Sequence, residues 1–270
     1  MRAPGIAVVT YNSAAAVRRF MPSQARLAAS LAGPLVCVDN ASSDDTVTAV
    51  RASTDGVATV VENRANRGYA AAVNQAFAAM PGRDVLLLNP DVAAPDADAL
   101  ARLAACLRAR HRAAVVAPRL LGEDGEPQGS ARRFPSAMTM VGSLPAAKRL
   151  GVLRRSYERY EEPSLSQQPI PVDWVVGAAM LIRRAAYEEL GGWDERFFLY
   201  MEDVDFCRRC ARSGWEVWFD PGVPVRHGWA RASTASGASV LRSRARRHHL
   251  ASYARFFARE PGMLVGRGRR

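Results

Sequence analysis

Residues 6–40, IAVVTYNSAAAVRRFMPSQARLAASLAGPLVCVDN, read as strand, helix, strand. IAVVTY (6–11) and PLVCVDN (34–40) are short apolar runs rich in β-branched residues, the pattern of strands buried on both faces. Between them Val17, Phe20, Leu27 and Leu31 share one face of a helix that stops at Gly33-Pro34. The alternation then repeats. VATVVE (57–62), DVLLLN (84–89) and AAVVAP (113–118) continue the strands. Val73, Ala76, Phe77 and Met80 mark a helix, and Leu100, Leu103, Ala104 and Leu107 another. Ser42 and Ser43 are placed to cap a helix around Thr46–Ala52. This order implies an α/β fold, Rossmann-like, with a mostly parallel sheet and helices on both faces. Such sheets bind ligands beyond the carboxyl ends of their strands.

Residues 119–172 break the rhythm with Gly, Pro and charge, and long loops with short elements are expected there. Order returns at Trp174: WVVGAAMLI (174–182) reads as one strand and Arg184–Leu190 as a short helix. After the Gly191-Gly192 break come a helix over Glu202–Arg212 and the strand WEVWFD (215–220).

With 49% hydrophobic and 23% charged residues in 270, the composition excludes a disordered or collagen-like chain. No apolar run approaches the roughly 20 residues of a membrane span. The N-terminus enters a strand without an apolar leader, so the chain is read as a mature cytoplasmic protein. Cys37, Cys106, Cys207 and Cys210 form no disulfide framework, and the Cys207/Cys210 pair reads as packing. The net charge is +11, but residues 231–270 hold ten arginines against one acid, Glu260. The remaining body is close to neutral, which argues against a nucleic-acid-binding protein. Within the tail, Leu250, Tyr253, Ala254 and Phe257 recur at helical spacing. A basic helix lying on an anionic membrane surface and a helix whose aromatic face packs on the body both fit this pattern.

The strand ends carry the chemistry. Strand one ends in Thr10-Tyr11-Asn12, and strand two in Asp39-Asn40, with no GxGxxG between them to cradle a dinucleotide. Asp39 suits either a ribose or base hydrogen bond or an Asx-turn. Asn89-Pro90-Asp91 offers a carboxylate for a divalent ion on a diphosphate, or an ordinary turn. In GGWDERFFLYMEDVDFCRR (191–209), Glu202, Asp203 and Asp205 crowd behind Phe197, Phe198 and Tyr200. Capping a helix N-terminus accounts for one or two acids; a carboxylate general base in a cleft accounts also for the apolar surroundings.

Taken in order, VVTYN, VDNASSDDT, NRGYAAAVNQA, LLLNPDV, GGWDERFFLYMEDVDFCRR and His227 resemble the inverting glycosyltransferases of family 2, in the bacterial rhamnosyltransferase-like branch. The resemblance spans about residues 6–234. It implies a GT-A fold: a nucleotide-binding half (1–118), an acceptor and catalytic half closing over it (119–234), then the basic helical tail (235–270). The implied donor is a nucleotide sugar, held by Thr10, Tyr11, Asn12, Asp39, Asn40, Arg67, Gly68, Asn74 and Asn89. Asp91 matches the last carboxylate of the family's metal motif, whose first acid is here the amide Asn89. His227, followed by Ser233, matches a histidine that in some members joins it, so Mg²⁺ or Mn²⁺ is the implied cofactor; a packed histidine is the other reading. Asp203 matches the presumed general base, with Glu202 and Asp205 beside it.

Arg132, Trp174, Gly177, Trp193, Asp194 and Glu195 are assigned to the acceptor and sugar pocket. Arg132-Arg133 suit an anionic acceptor such as a lipid diphosphate, or a solvated surface. Arg209 either orients the acids and phosphate or makes a structural ion pair. The expected reaction moves L-rhamnose from dTDP-rhamnose, or another sugar from UDP or GDP, to a cell-envelope glycan or polyprenyl-diphosphate-linked saccharide. The expected place is the cytoplasm, at the inner face of the membrane.

Overall fold

The structure, a computed structural model, describes residues 2–143, 149–228 and 244–264. Four parallel strands, β1 (Gly5–Thr10), β2 (Leu35–Asp39), β3 (Ala58–Glu62) and β4 (Val85–Leu88), alternate with α1 (Ala14–Ser30), α2 (Thr46–Thr54) and α3 (Tyr69–Ala78). Helix α4 (Ala97–Ala109) leads into β5 (Ala113–Leu121). The second half adds β6 (Ala131–Arg132), α5 (Ala137–Gly142), α6 (Gly151–Glu161), β7 (Ile170–Val172), β8 (Trp174–Val175) and β9 (Ala179–Ile182). It continues with α7 (Arg184–Glu189), α8 (Glu202–Arg212), β10 (Glu216–Arg226), α9 (Arg244–Arg259) and α10 (Pro261–Leu264).

Eight strands form one sheet in the order β3-β2-β1-β4-β9-β5-β10-β7, with β9 and β7 antiparallel to their neighbours. Alternate residues of β1 face opposite layers, as the two-residue period of a strand requires. Ile6 and Val8 pack with Val17 and Met21 of α1 and Leu100 and Leu103 of α4. Ala7 and Val9 face Val73 and Phe77 of α3, in a cluster that also holds Phe206 of α8 and Phe256 and Phe257 of α9. Strand order reverses at β1, so the tips of β1, β2 and β4 border one crevice, where ligands bind in such sheets.

Several expectations need correction. WVVGAAMLI is not one strand: it breaks at Val176–Ala178 into β8, paired with β6 in a small sheet, and β9 in the large one. The apolar run concealed the break because both pieces are buried. Residues 119–172 contain an eleven-residue helix, α6, whose inward face (Leu153, Ser156, Tyr157 and Tyr160) is only half-buried and mixes polar with apolar residues, so it lacks the aliphatic stripe that marks a core helix in sequence. The strand read at 215–220 runs on to Arg226 through a register shift after Asp220. Ser42 and Ser43 do not cap α2; Asp44 Oδ1 accepts from the Thr46 N–H at 3.1 Å. In α9 the apolar face is rotated from the one expected. Phe256 and Phe257 are buried, whereas Leu250 is 57% exposed and Ala254 is exposed. The tail's residues 235–243 and 265–270, and Ser233, lie outside the described residues.

Candidate active site

The β1 and β2 tips are tied together by short polar side chains. Asp39 is buried; its carboxylate accepts from Thr10 Oγ1 at 2.8 Å and from the Ser42 N–H and hydroxyl at 2.8 and 2.6 Å. Asn12 adopts a left-handed conformation (φ 48°), and its Oδ1 accepts from the Ser43 N–H at 2.8 Å. Asn tolerates that conformation better than most residues. Tyr11 stands half exposed beside it. Asn40 donates to the Gly68 carbonyl at 3.0 Å and accepts from Asn63 at 2.9 Å. The Arg67 side chain is exposed at the same rim.

Gly68 is a position only glycine fills: φ is +88°, and a Cβ would lie 2.7 Å from the Phe198 carbonyl oxygen. That carbonyl accepts from the Tyr69 N–H at 2.8 Å, so the NRGY turn is pinned to the FFLY loop.

Past that pin lies a cavity of about 400 Å³, walled by Asn89, Asp91, Arg132, Trp174, Gly177, Glu202, Asp203 and His227 among others. At one end Asp91 Oδ1 stands 3.5 Å from His227 Nε2. Gln128 fixes the imidazole: its amide N–H donates to the His227 carbonyl at 3.3 Å, so its Oε1, 2.7 Å away, accepts from Nδ1. The Nε2 lone pair then faces the Asp91 side, the tautomer a metal-ligating histidine needs. Among the described residues no group of three His, Cys, Asp or Glu side chains gathers as a metal site. One carboxylate and one imidazole still suit a hard divalent ion that completes its shell with phosphate oxygens and water.

At the other end Tyr200 and Met201, both left-handed (φ 66° and 68°), turn the chain sharply into α8. Non-glycine residues seldom adopt this conformation, and strain of this kind gathers at functional sites. In the first turn of α8 the helical rotation points the three acids in different directions. Asp203 faces the cavity, its Oδ2 accepting from the Gly177 N–H at 3.0 Å and its Oδ1 from the Val204 N–H at 2.8 Å. Burial raises its pKa, against the pull of those N–H groups and of Arg132. Glu202 is buried with Oε2 unpartnered; burial first, then the neighbouring Asp203 charge, push it well above the usual carboxyl range. Asp205 points elsewhere, to Arg209 at 2.8 Å and Arg259 at 3.3 Å. Arg209 therefore makes a structural ion pair.

Arg132 lies over the rings of Tyr160 and Trp174, 5.4 Å from each centroid, and pairs with Glu161 at 3.4 Å. Trp174 donates from Nε1 to the Arg133 carbonyl at 2.8 Å, which anchors its ring in the cavity wall. Trp193, Asp194, Glu195 and Asn74 do not line the cavity. Trp193 stacks on Phe206 (5.2 Å between centroids), and Asp194 pairs with Arg196 and Arg259. Asn74 bridges the Trp193 backbone and Glu195.

Tyr69 was missed in the sequence. Its hydroxyl lies 3.0 Å from both Asn89 Oδ1 and the Gly177 carbonyl, on the wall of the cavity. It sits inside the NRGYAAAVN segment, where its place directly after Gly68 was the available signal. Gln128, Tyr160, His249 and Tyr253 also line the cavity; of these the sequence marked Tyr253 alone, as part of the tail's apolar face and not as a site residue.

The model of the glycosyltransferase-like family 2 matches residues 4–249. The chain belongs to glycosyltransferase family 2. Among relatives, it is 32% identical to an N-acetylglucosaminyl-diphospho-decaprenol L-rhamnosyltransferase of Mycobacterium tuberculosis over 92% of this chain and 82% of that one. It is 34% identical to the rhamnosyltransferase WbbL of Escherichia coli over 33% of this chain and 32% of that one. In fold, this family 2 glycosyltransferase resembles the mannosyltransferase PcManGT of Pyrobaculum calidifontis, solved with GDP-Man and Mn²⁺ (TM-score 0.61, 21% identity, 96% of this chain and 65% of that one). It also resembles GalNAc-T7, solved with UDP, GalNAc and Mn²⁺ (TM-score 0.66, 16% identity, 96% of this chain and 48% of that one). Its fold is thus GT-A, and it is a glycosyltransferase.

Proposed function

We propose that this enzyme transfers a sugar, L-rhamnose from dTDP-rhamnose, to a hydroxyl of a lipid-linked glycan, inverting the anomeric centre. The observation that carries the reading is the placement of Asp203 and the Asp91–His227 pair in one cavity, with the polar rim of β1 and β2 beyond it. Asp91 and His227 are the residues that would hold a divalent ion, with Gln128 fixing the imidazole. When bound, that ion neutralises charge developing on the departing diphosphate.

The chain's own groups do the rest. Thr10, Tyr11, Asn12, Asp39, Asn40, Arg67 and Gly68 form the nucleoside seat, and Asn89 with Tyr69 spaces it from the acids. Asp203 takes the proton of the incoming hydroxyl on the face opposite the leaving group. The N–H groups of Gly177 and Val204 hold its carboxylate in place. Burial favours Glu202 as the neutral acid, leaving the shared negative charge on Asp203, and so separates the roles of two adjacent carboxyls. Arg132 and Trp174 border the space left for the acceptor.

The rhamnose donor is supported by the names of the M. tuberculosis and E. coli relatives; a UDP- or GDP-sugar is the alternative. The lipid-linked acceptor is supported by the decaprenol in the former's name. Among the described residues no helix is long and apolar enough to cross a membrane. The test is incubation with a panel of nucleotide sugars, with and without Mg²⁺ or Mn²⁺, following nucleoside diphosphate release. Release from dTDP-rhamnose above all others is expected; preference for a UDP- or GDP-sugar replaces the donor, and no release from any removes the activity.

A further inference from the structure

A second cavity, of about 410 Å³, opens between the Arg133–Ser136 segment and the hairpin of α5 and α6. Its wall carries three guanidinium side chains, those of Arg133, Arg155 and Arg159, and one carboxylate, Asp173, whose Oδ2 accepts from the Phe134 N–H at 2.8 Å. Arg133 has a surface ion pair with Glu162 at 3.2 Å, whereas Arg155 and Arg159 pair with no carboxylate among the described residues. These two are four residues apart on α6, so like charges stack on one face of a helix, an arrangement that opposes helix formation. Helix stability does not account for them.

Around this cavity the surface turns apolar. Met138, Val141, Leu150 and Val152 are 44–68% exposed. They are four of the nine large hydrophobic side chains exposed among the described residues, gathered on one hairpin. The hairpin is held shut at Gly142, where a Cβ would fall 2.6 Å from the Leu153 carbonyl oxygen. Pro135 and Tyr160 belong to the walls of both cavities, so the arginine cavity adjoins the one that holds Asp203.

We propose that the α5–α6 cavity binds the diphosphate of a prenyl diphosphate, with the prenyl chain lying along Met138, Val141, Leu150 and Val152. Guanidinium groups recognise phosphate oxygens through directed, charge-assisted hydrogen bonds, and the exposed apolar side chains give the chain a surface to cover. A saccharide carried on that diphosphate then reaches past Pro135 and Tyr160 toward Asp203. This rests on the lipid-linked acceptor proposed above and names the part of the enzyme that holds its lipid end.

The test measures binding of geranylgeranyl diphosphate in neutral phosphatidylcholine vesicles, beside three controls: geranylgeraniol in the same vesicles, free inorganic pyrophosphate, and phosphatidylglycerol vesicles of equal charge. The full chain is compared with Arg155→Gln/Arg159→Gln and with Val152→Glu, all at exposed positions where folding is retained. The prenyl diphosphate should bind tightest, and each variant should weaken it about tenfold or more, as loss of charge-assisted contacts or burial of a new charge predicts. Binding of nucleoside diphosphates should not change. Equal binding to phosphatidylglycerol would overturn the inference in favour of a general anionic surface, and equal binding of geranylgeraniol or insensitivity to both variants would overturn it as well. A wild type that ignores prenyl diphosphate yet releases nucleoside diphosphate from a sugar donor refutes this site and leaves the glycosyltransferase reading intact.

Discussion

At Asp203, burial and hydrogen bonding act in opposite directions. Burial disfavours the charged carboxylate, while the Gly177 and Val204 N–H groups favour it, and the balance leaves the pKa above the usual 3.8. A base must be ionised to work, so kcat/KM should rise with pH along an acid limb whose midpoint lies above that value; a midpoint below it would remove Asp203 from the role. Asp203→Asn should cut turnover about 10²–10⁴-fold with donor still bound, the range for a lost general base. Asp205→Asn should cost far less, and the reverse ranking would show that the wrong carboxylate is named. Glu202 tests the same chemistry through stability. Its folded pKa is raised, so the stability it contributes is present below the ordinary carboxyl pKa and lost as pH climbs toward the raised one. Across that window the wild type should lose about 1.4 kcal/mol per pH unit relative to Glu202→Gln, measured by urea unfolding.

Helix α9 is where an element changes the picture. Phe256 is 1% exposed in the cluster that also holds Phe197 and Phe206, so Phe256→Ala should cost about 3–5 kcal/mol in a denaturant series. A loss under 1 kcal/mol would mean that the helix is only loosely laid on the body. The tail's two readings stayed open in the sequence because a basic amphipathic helix hides its apolar face equally well in lipid or against protein, and its own residues do not say which. The strands β1 to β5 were legible because each is an apolar run closed by Gly, Pro or Asn. The break in WVVGAAMLI was not, since Gly177 is held there by Asp203, a partner 26 residues away. In the cavity, Asp91, Asp203 and His227 were legible through motif order. Tyr160 and Tyr253 were not, because they arrive from helices whose packing no local pattern announces.

On the scale of the whole molecule, the cavity joins distant parts of the chain, among them the tip of β4, the β8–β9 break, the start of α8, the end of β10 and helix α9. If Asp91 and a cation act on the same diphosphate, chelation by EDTA and Asp91→Ala should each weaken donor binding, and the two losses should not add. Full donor binding in exhaustive chelator would show that protein groups alone meet the diphosphate. The loop that carries the acids is itself strapped from outside. Ser252 donates to the Leu199 carbonyl at 3.0 Å, Arg255 to that of Arg196, Arg259 reaches Asp194 and Asp205, and His248 stacks on Phe198. Those partners are made some fifty residues after the loop they hold. A nascent chain on the ribosome therefore has both carboxylates and the whole parallel sheet before it has the strap. Until residue 259 has left the ribosome, the growing polypeptide carries its acids on an unfastened loop.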